Sequence, residues 1–166
     1  MGSTTKKRAE LRRPNLRDGA VLWRMAKDSG TLDLNSPYAY LVWCDQFAET
    51  SIVAEVDGWP AGFVVGFRPP GREHVLFVWQ IAVADEYRGL GLASRMLDEL
   101  VERIAVNAVE ATVTPSNTAS ENLFRALARR SGCSCREEPY IEAEHFPDQG
   151  HESEVLLRIG PILRDQ

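Results

Sequence analysis

The stretch DEYRGLGLASRMLDELVERI, residues 85–104, decides the fold because a loop of small residues leads directly into a strongly periodic helix. Gly89, Gly91 and Ala93 stand at alternate positions, with Arg88 just before them. The first four amides of a helix lack partners within it and carry partial positive charge, and small side chains let an anion approach them. The pattern therefore fits either a diphosphate-binding loop or a tight turn. Helical spacing predicts one buried face, formed by Leu92, Met96, Leu97, Leu100, Val101 and Ile104.

The segments around this stretch predict a mixed sheet. EHVLFVWQIAVADE, residues 73–86, is apolar on both faces, which favours a central strand. Asp57-Gly58 between two β-branched runs predicts a hairpin. Upstream, one helix is expected to stop at Gly30, and a second is expected to begin after a Ser36 cap. The full order, β-α-α-β-β-β-α-β-α-β-β, predicts an α/β (α+β) fold with a mixed sheet of six to seven strands and helices on both faces.

Composition and charge restrict the function classes. The 166 residues are 44% hydrophobic and 26% charged, so we expect one globular domain over residues 8–166 after a disordered tail at residues 1–7. A net charge of -5 disfavours binding to nucleic acid or to an anionic membrane. The chain shows no secretory signal and no apolar run of ~20 residues, which favours a cytoplasmic protein. Cys44, Cys133 and Cys135 lack metal-ligand spacing, so we expect reduced thiols and no metal.

Two familiar phosphate-binding motifs do not fit the glycines. A Walker A loop requires Gly-Lys-Ser/Thr, whereas this chain has Ser94-Arg95, and a dinucleotide-binding GxGxxG requires glycine where Ser94 stands. Arg88, Gly91 and Ala93, directly after an apolar strand, instead resemble motif A of the GNAT superfamily of N-acetyltransferases. The resemblance implies the GNAT acyl-CoA N-acyltransferase fold, with acetyl-CoA as cosubstrate.

The same resemblance implies which residues meet acetyl-CoA. Backbone groups at the end of the central strand would meet the pantetheine arm and the acetyl group, and amides of the loop would meet the diphosphate. These residues are Ile81, Ala82, Val83, Arg88, Gly89, Leu90, Gly91, Leu92, Ala93 and Ser94. SNTASENLFRALARRSG, residues 116–132, resembles the next GNAT motif, in which Asn117 would contact the cofactor arm. Arg88 would bind the diphosphate or only shape the loop.

Phe124 departs from the family pattern. Many GNAT members carry a tyrosine in this helix that is suited to protonating the leaving thiolate. Here either another group protonates it, or the thiolate leaves unprotonated, which a free thiol pKa of about 8.5 allows. Phe124 itself is expected to pack beside the cofactor.

Longer stretches resemble a more specific family. GTLDLNSPYAYLVWCDQFAETSIVAE, LFVWQIAVADEYRGLGLASRML and GHESEVLLRI are similar to the L-2,4-diaminobutyrate acetyltransferases of ectoine synthesis, over about Arg12 to Ile159. That family transfers acetyl from acetyl-CoA to the 4-amino group of L-2,4-diaminobutyrate, and its product is the precursor of the compatible solute ectoine. The resemblance implies the same reaction here, by direct attack in a ternary complex. By analogy with other small acetyltransferases of this fold we expect a homodimer.

The acceptor site is expected in two acid-containing segments, because the attacking amine must lose a proton to a nearby base. The catalytic candidates are Glu152 as general base, His151 beside it, and Asp33. The candidate substrate-binding residues are Asp33, Ser36, Tyr38, Trp79, Gln80 and Glu154. Simpler roles remain open for several of them: Asp33 as a cap or turn residue, Tyr38 as a packing residue, Trp79 as a core residue, and Glu154 as a partner of Arg158. Trp79 and Gln80 point to opposite faces of their strand, so at most one lines the pocket through its side chain.

Two alternative functions remain open. One is a GNAT enzyme that acetylates another small amine or a protein N-terminus. The other is a CoA-binding module without catalysis, which the phenylalanine at position 124 suggests.

Overall fold

The computed structural model describes residues 8–163 and orders seven strands in one mixed sheet as β1-β2-β3-β4-β5-β7-β6. The strands are β1 (Glu10–Arg12), β2 (Ile52–Val56), β3 (Trp59–Phe67), β4 (Val75–Val83), β5 (Ala108–Val113), β6 (Ser134–Ile141) and β7 (Glu154–Gly160). The helices are α1 (Gly19–Ser29), α2 (Pro37–Gln46), α3 (Leu92–Ile104) and α4 (Thr118–Arg130). This succession confirms the predicted order of elements. The tail predicted at residues 1–7 lies outside the described residues.

The chain forms two compact units. The first contains the described residues up to Val65 together with Gln80–Leu100, and the second contains Gly66–Trp79 and the chain from Val101 onward. The expectation of one domain over residues 8–166 stays a prediction.

Helices cover both faces of the sheet in the first unit, as predicted. Phe63 and Val65 of β3 lie in a core with the buried faces of α1 and α2. Successive side chains of a strand point to opposite faces. A Cβ at Gly62 would lie 3.0 Å from Met96 Cε of α3, so glycine here lets α3 approach β3 closely. The core on the α1 and α2 side comprises Leu22, Ala26, Tyr40, Trp43, Cys44, Val53, Phe63 and Val65.

Local sequence signals produce the expected turns and caps. Asp57 and Gly58 have φ values of 52° and 80°, the positive pair that a tight antiparallel hairpin requires. Ser36 caps α2 by accepting a hydrogen bond from the Ala39 N–H at 3.3 Å. Gly30 ends α1 with φ of 65°. These signals set the lengths of the elements that carry the candidate site.

A buried ion pair fastens β1 to the start of α1. Arg12 donates to both carboxylate oxygens of Asp18 at 2.8 Å and to Glu55 of β2 at 2.7 Å. The Asp18 side chain is 5% exposed. Burial alone would raise the pKa of the Asp18 carboxyl, but hydrogen bonds from Arg12 and from the Asn15 N–H hold it below its ordinary value. The stability that this pair contributes is therefore present above the unfolded pKa and is lost as pH falls through the folded pKa.

Replacing Arg12 by methionine should lower the free energy of unfolding by about 3 kcal/mol at pH 7, because it leaves the Asp18 carboxylate buried without its cation. The deficit should shrink below about pH 4, where the wild-type protein loses the same contribution. Urea titrations across this pH range measure both effects. Arg17→Met is the matched control, because Arg17 is exposed and should change stability by less than about 0.5 kcal/mol. Equal losses in the two variants would contradict the assignment.

The second unit is built around β5 and β7. β5 pairs in parallel with β4 and antiparallel with β7, which in turn pairs with β6. Glu110 of β5 is 4% exposed, and its carboxylate meets Arg72 at 2.7 Å and Arg158 at 3.6 Å. On α4, Arg125 contacts Glu137 of β6 at 2.8 Å. Two arginines thus balance the buried carboxylate in the middle of the sheet.

All three cysteines are free thiols, as expected. Burial raises the pKa of Cys44 to about 12, and burial also raises the pKa values of Cys133 and Cys135. Because the thiolate is the reactive form, these cysteines are poor nucleophiles.

Candidate active site

The loop between β4 and α3, residues 84–91 and called here the glycine loop, ends in two left-handed glycines. Gly89 and Gly91 have φ values of 77° and 72°. A Cβ built on either glycine meets nothing within 4 Å, so both border open space. The Arg95 N–H donates to the Gly91 carbonyl at 3.1 Å and starts the intrahelical ladder. The amides before it have no carbonyl of the helix to bind, which leaves donors for an anion in that space.

Arg88 shapes this loop. Its Nη2 lies 3.0 Å from Asp85 Oδ1, and its Nε donates to the Val83 carbonyl at 3.3 Å. These contacts tie the loop back to the end of β4. The side chain is still 56% exposed, so the guanidinium also remains accessible to a phosphate.

The end of β4 carries the predicted pantetheine residues. The parallel register of β4 with β5 runs from Val75↔Ala108 to Val78↔Ala111, and Ile81, Ala82 and Val83 lie beyond these pairs. All three are partly exposed. Their position fits a strand end that offers backbone groups to a ligand.

Gln80 lies at the centre of a buried hydrogen-bond chain. It is 5% exposed, accepts from the Tyr40 hydroxyl at 2.8 Å and donates to the Asp33 carbonyl at 2.6 Å. Tyr40 is fully buried. Burial raises the pKa of its hydroxyl, although hydrogen bonds with Asn35 oppose this. This hydrogen-bond chain joins Gln80 to the backbone carbonyl of Asp33. The Asp33 side chain itself lies in an exposed loop.

The other candidates near this loop and strand differ in exposure. Ser36 is occupied as the cap of α2, whereas Tyr38 is 74% exposed. Trp79 is 49% exposed and packs against Phe67 with ring centroids 5.9 Å apart. The alternative roles of Tyr38 as a packing residue and of Trp79 as a core residue are therefore wrong. Of the pair that shares β4, Gln80 points inward and Trp79 outward.

In the second unit, the segment before β7 holds the predicted base. The Ser116 hydroxyl donates to the Glu152 carboxylate, and Thr114 Oγ1 lies 3.4 Å from Ser116 Oγ. His151 Nδ1 lies 2.7 Å from the Glu152 carbonyl, and the ring stacks on Phe146 at 3.5 Å. A carbonyl can only accept, so Nδ1 carries the hydrogen in this contact.

The remaining candidates of this unit have clear local roles. Asn117 caps α4 by accepting from the Ser120 N–H at 3.1 Å. Phe124 is 2% exposed and packs inside, and Glu154 is half-buried at the start of β7. Arg158 has Glu110 and Glu138 as its acidic neighbours, at 3.6 and 3.7 Å, so the simpler role of Glu154 as its partner is wrong.

The family model of the GNAT acetyltransferases matches residues 20–128, which contain the glycine loop, β4 and most of α4. The chain belongs to the GNAT acetyltransferase family.

Relatives of this acetyltransferase narrow the resemblance. The L-2,4-diaminobutyric acid acetyltransferase of Streptomyces avermitilis is 52% identical over 155 residues, which is 90% of this chain and 87% of the relative. That of Streptomyces coelicolor is 46% identical over 158 residues, 92% and 93% of the two chains. A Paenibacillus lautus diaminobutyrate acetyltransferase, solved with its substrate L-2,4-diaminobutyric acid and coenzyme A, has 41% identity and a TM-score of 0.90, covering 96% and 99% of the chains. These similarities confirm the predicted fold and family.

Two side chains that contact the candidate residues of this acetyltransferase escape prediction from the sequence. Ser116 lies within the motif that begins at residue 116 and donates to Glu152, and Tyr40 lies within α2 and donates to Gln80. A polar residue on the inward face of α2 was the available signal for Tyr40, since buried hydroxyls usually find a hydrogen-bond partner. Within residues 8–163, none of the helices of this GNAT member is long and apolar enough to cross a bilayer.

Proposed function

We propose that this protein transfers the acetyl group of acetyl-CoA to the 4-amino group of L-2,4-diaminobutyrate, giving N4-acetyl-L-2,4-diaminobutyrate for ectoine synthesis. The observation that carries the proposal is the near full-length similarity to an enzyme solved with L-2,4-diaminobutyric acid and coenzyme A. The open glycine loop supports the choice of donor, because it offers amides and space to a diphosphate.

The binding site for acetyl-CoA, the acetyl donor, is assigned to the end of β4, the glycine loop and the motif on α4. Backbone groups of Ile81, Ala82 and Val83 serve the pantetheine arm and polarise the acetyl carbonyl. The diphosphate is bound by residues 88–94. Asn117 contacts the arm through the amide nitrogen that its capping role leaves available. Phe124, buried on α4, supports that contact by packing.

Binding of the acetyl acceptor, L-2,4-diaminobutyrate, is assigned to the exposed acidic and aromatic candidates. A diamino acid brings two ammonium groups, which suit the carboxylates of Asp33 and Glu154. Tyr38 and Trp79 are exposed enough to contact it and can add a hydroxyl and an indole N–H. Ser36 and Gln80 contribute by holding the helix start and the loop that carry Asp33.

The reaction is a single displacement on the thioester. Glu152 takes a proton from the 4-ammonium group, with His151 beside it. The neutral nitrogen attacks the acetyl carbon, the new C–N bond forms, and the C–S bond breaks as the sulfur leaves with its electron pair. The nitrogen then loses its second proton to water, which leaves the neutral amide. Ser116 holds the Glu152 carboxylate through its hydroxyl. Phe124 has no proton to give, and we assign the sulfur to leave as a thiolate, although protonation by another group is the alternative.

Incubation of the purified protein with acetyl-CoA and L-2,4-diaminobutyrate is expected to release CoA thiol. Mass spectrometry of the product should locate the acetyl group on the 4-amino nitrogen. Parallel reactions with lysine, ornithine, polyamines and peptide N-termini should be slower in kcat/KM. Rapid acetylation of a peptide or polyamine with no turnover of diaminobutyrate would contradict the proposal. CoA binding by calorimetry without thiol release on any amine would contradict catalysis altogether.

The protein is proposed to work as a cytoplasmic homodimer. Three free thiols suit a reducing compartment. The dimer rests on analogy with small acetyltransferases of this fold, and light scattering after size-exclusion chromatography tests it.

A further inference from the structure

One buried hydroxyl links the loop that carries Asp33 to the strand that carries the acetyl-binding residues. Tyr40 is 0% exposed and donates to Gln80 Oε1 at 2.8 Å. Gln80 Nε2 donates in turn to the Asp33 carbonyl at 2.6 Å. Residues 31–36, called here the acceptor loop, are otherwise mostly exposed, with Leu32 packed against the core. The hydrogen-bond chain therefore fixes an exposed loop from within the core.

The two hydrogen bonds of Gln80 form only in one orientation of its side-chain amide. The amide has an oxygen that accepts and a nitrogen that donates, and turning it over exchanges the two. The Asp33 carbonyl can only accept, so the Gln80 nitrogen faces it, and the Tyr40 hydroxyl donates to the oxygen on the other side of the amide. Without the hydroxyl, the oxygen would be buried with no donor, which is costly, and the amide could turn away from the loop.

We propose that Tyr40 is a positioning residue for the acetyl acceptor, acting through Gln80 to hold Asp33 in register with Ile81, Ala82 and Val83 on β4. The inference rests on the proposed function, since it assumes that Asp33 binds an ammonium group of the acceptor. Gln80 precedes Ile81 in the chain, so one side chain fixes the acceptor loop to the same strand end that serves the donor. Because Tyr40 is fully buried, the proposal gives it no contact with either substrate.

Replacing Tyr40 by phenylalanine keeps the ring and removes the hydroxyl. The KM for L-2,4-diaminobutyrate should rise about tenfold, the size of one lost buried hydrogen bond. The kcat and the KM for acetyl-CoA should stay within about twofold of wild type. The matched control is Cys44→Ala, which disturbs the same helix and core cluster and has no contact with Gln80 in the described hydrogen bonds. It should lower stability and leave both KM values unchanged.

A double-mutant cycle tests whether Tyr40 acts through Gln80. Gln80→Leu should raise the acceptor KM at least as much as Tyr40→Phe, because it removes both hydrogen bonds. The double variant should raise the acceptor KM by less than the product of the two single effects, since the hydrogen bond between Tyr40 and Gln80 is already lost in Gln80→Leu. Independent, multiplying effects on KM would overturn the inference.

Hydrogen-deuterium exchange separates this inference from the proposed function. In Tyr40→Phe, amides of residues 31–36 should exchange at least about fivefold faster, while those of α3 keep their wild-type rates. Unchanged exchange in the acceptor loop overturns the inference whatever the substrate. Absence of diaminobutyrate turnover in the wild-type protein would instead overturn the proposed function, and the exchange result would still decide the role of Tyr40.

Discussion

Replacing Glu152 by glutamine is expected to lower kcat by about two to three orders of magnitude, with little change in either KM. The substitution keeps the size and the hydrogen bond from Ser116 but removes the ability to accept a proton, and general-base catalysis typically contributes 10²–10⁴-fold. Steady-state kinetics with thiol detection measure the effect. The KM values for both substrates should stay unchanged, because the glutamine amide fills the space of the carboxylate.

Glu144→Gln is the matched control for this variant. Glu144 is an exposed glutamate in the short turn at Ala143–His145 and contacts none of the assigned residues in the described hydrogen bonds. It should leave kcat unchanged. Ser116→Ala should lower kcat by about fivefold, because it frees the carboxylate without removing it. A Glu152→Gln variant with normal kcat and a raised acceptor KM would make Glu152 a binding contact and leave Asp33 as the candidate base.

The double variant Gly89→Ala/Gly91→Ala should weaken acetyl-CoA binding by about 100-fold. Both glycines have positive φ, and added Cβ atoms would enter the open space assigned to the diphosphate. Each alanine also costs about 1–2 kcal/mol of backbone strain, which favours a different loop conformation and withdraws the amides. Calorimetry with CoA measures the affinity directly.

Gly58→Ala separates strain from ligand binding. Gly58 has φ of 80° and equally open surroundings, but it lies in the hairpin between β2 and β3. Gly58→Ala should lower the free energy of unfolding by about as much as each alanine in the loop variant. It should leave the affinity for CoA unchanged. Unaltered CoA binding in the loop variant would show that the glycines serve only a turn, which was the other interpretation of the sequence.

Local patterns predicted most of the fold. The apolar period of α3 identified a stripe from Leu92 to Ile104 that is buried throughout, because only one face of that helix can leave water. The pair Asp57-Gly58 and the Ser36 cap were equally readable, since their chemistry is complete within a few residues. The order of elements followed from such local signals.

Contacts between distant residues could not be predicted in this way. Trp79 stands in an apolar run, yet it is half exposed, because alternation along a strand does not reveal where covering elements end. Tyr40 and Gln80 lie 40 positions apart, and no period links them. The hydrogen bond between Ser116 and Glu152 joins two loops in the same manner. The polar connections of the candidate site required the fold.

The depth at which charges lie decides how this molecule responds to ionic strength. Glu110, 4% exposed beneath Arg72 and Arg158, is shielded from ions, whereas Arg88 and Asp85 of the glycine loop are 56% and 81% exposed. At 1 M salt the Debye length is about 3 Å, so exposed pairs are screened while buried pairs keep their attraction. Concentrated salt therefore weakens the ion pair between Arg88 and Asp85 in the glycine loop. It leaves the pairing of Glu110 with Arg72 and Arg158 intact. The glycine loop is therefore expected to respond to ionic strength more than the buried carboxylate of Glu110.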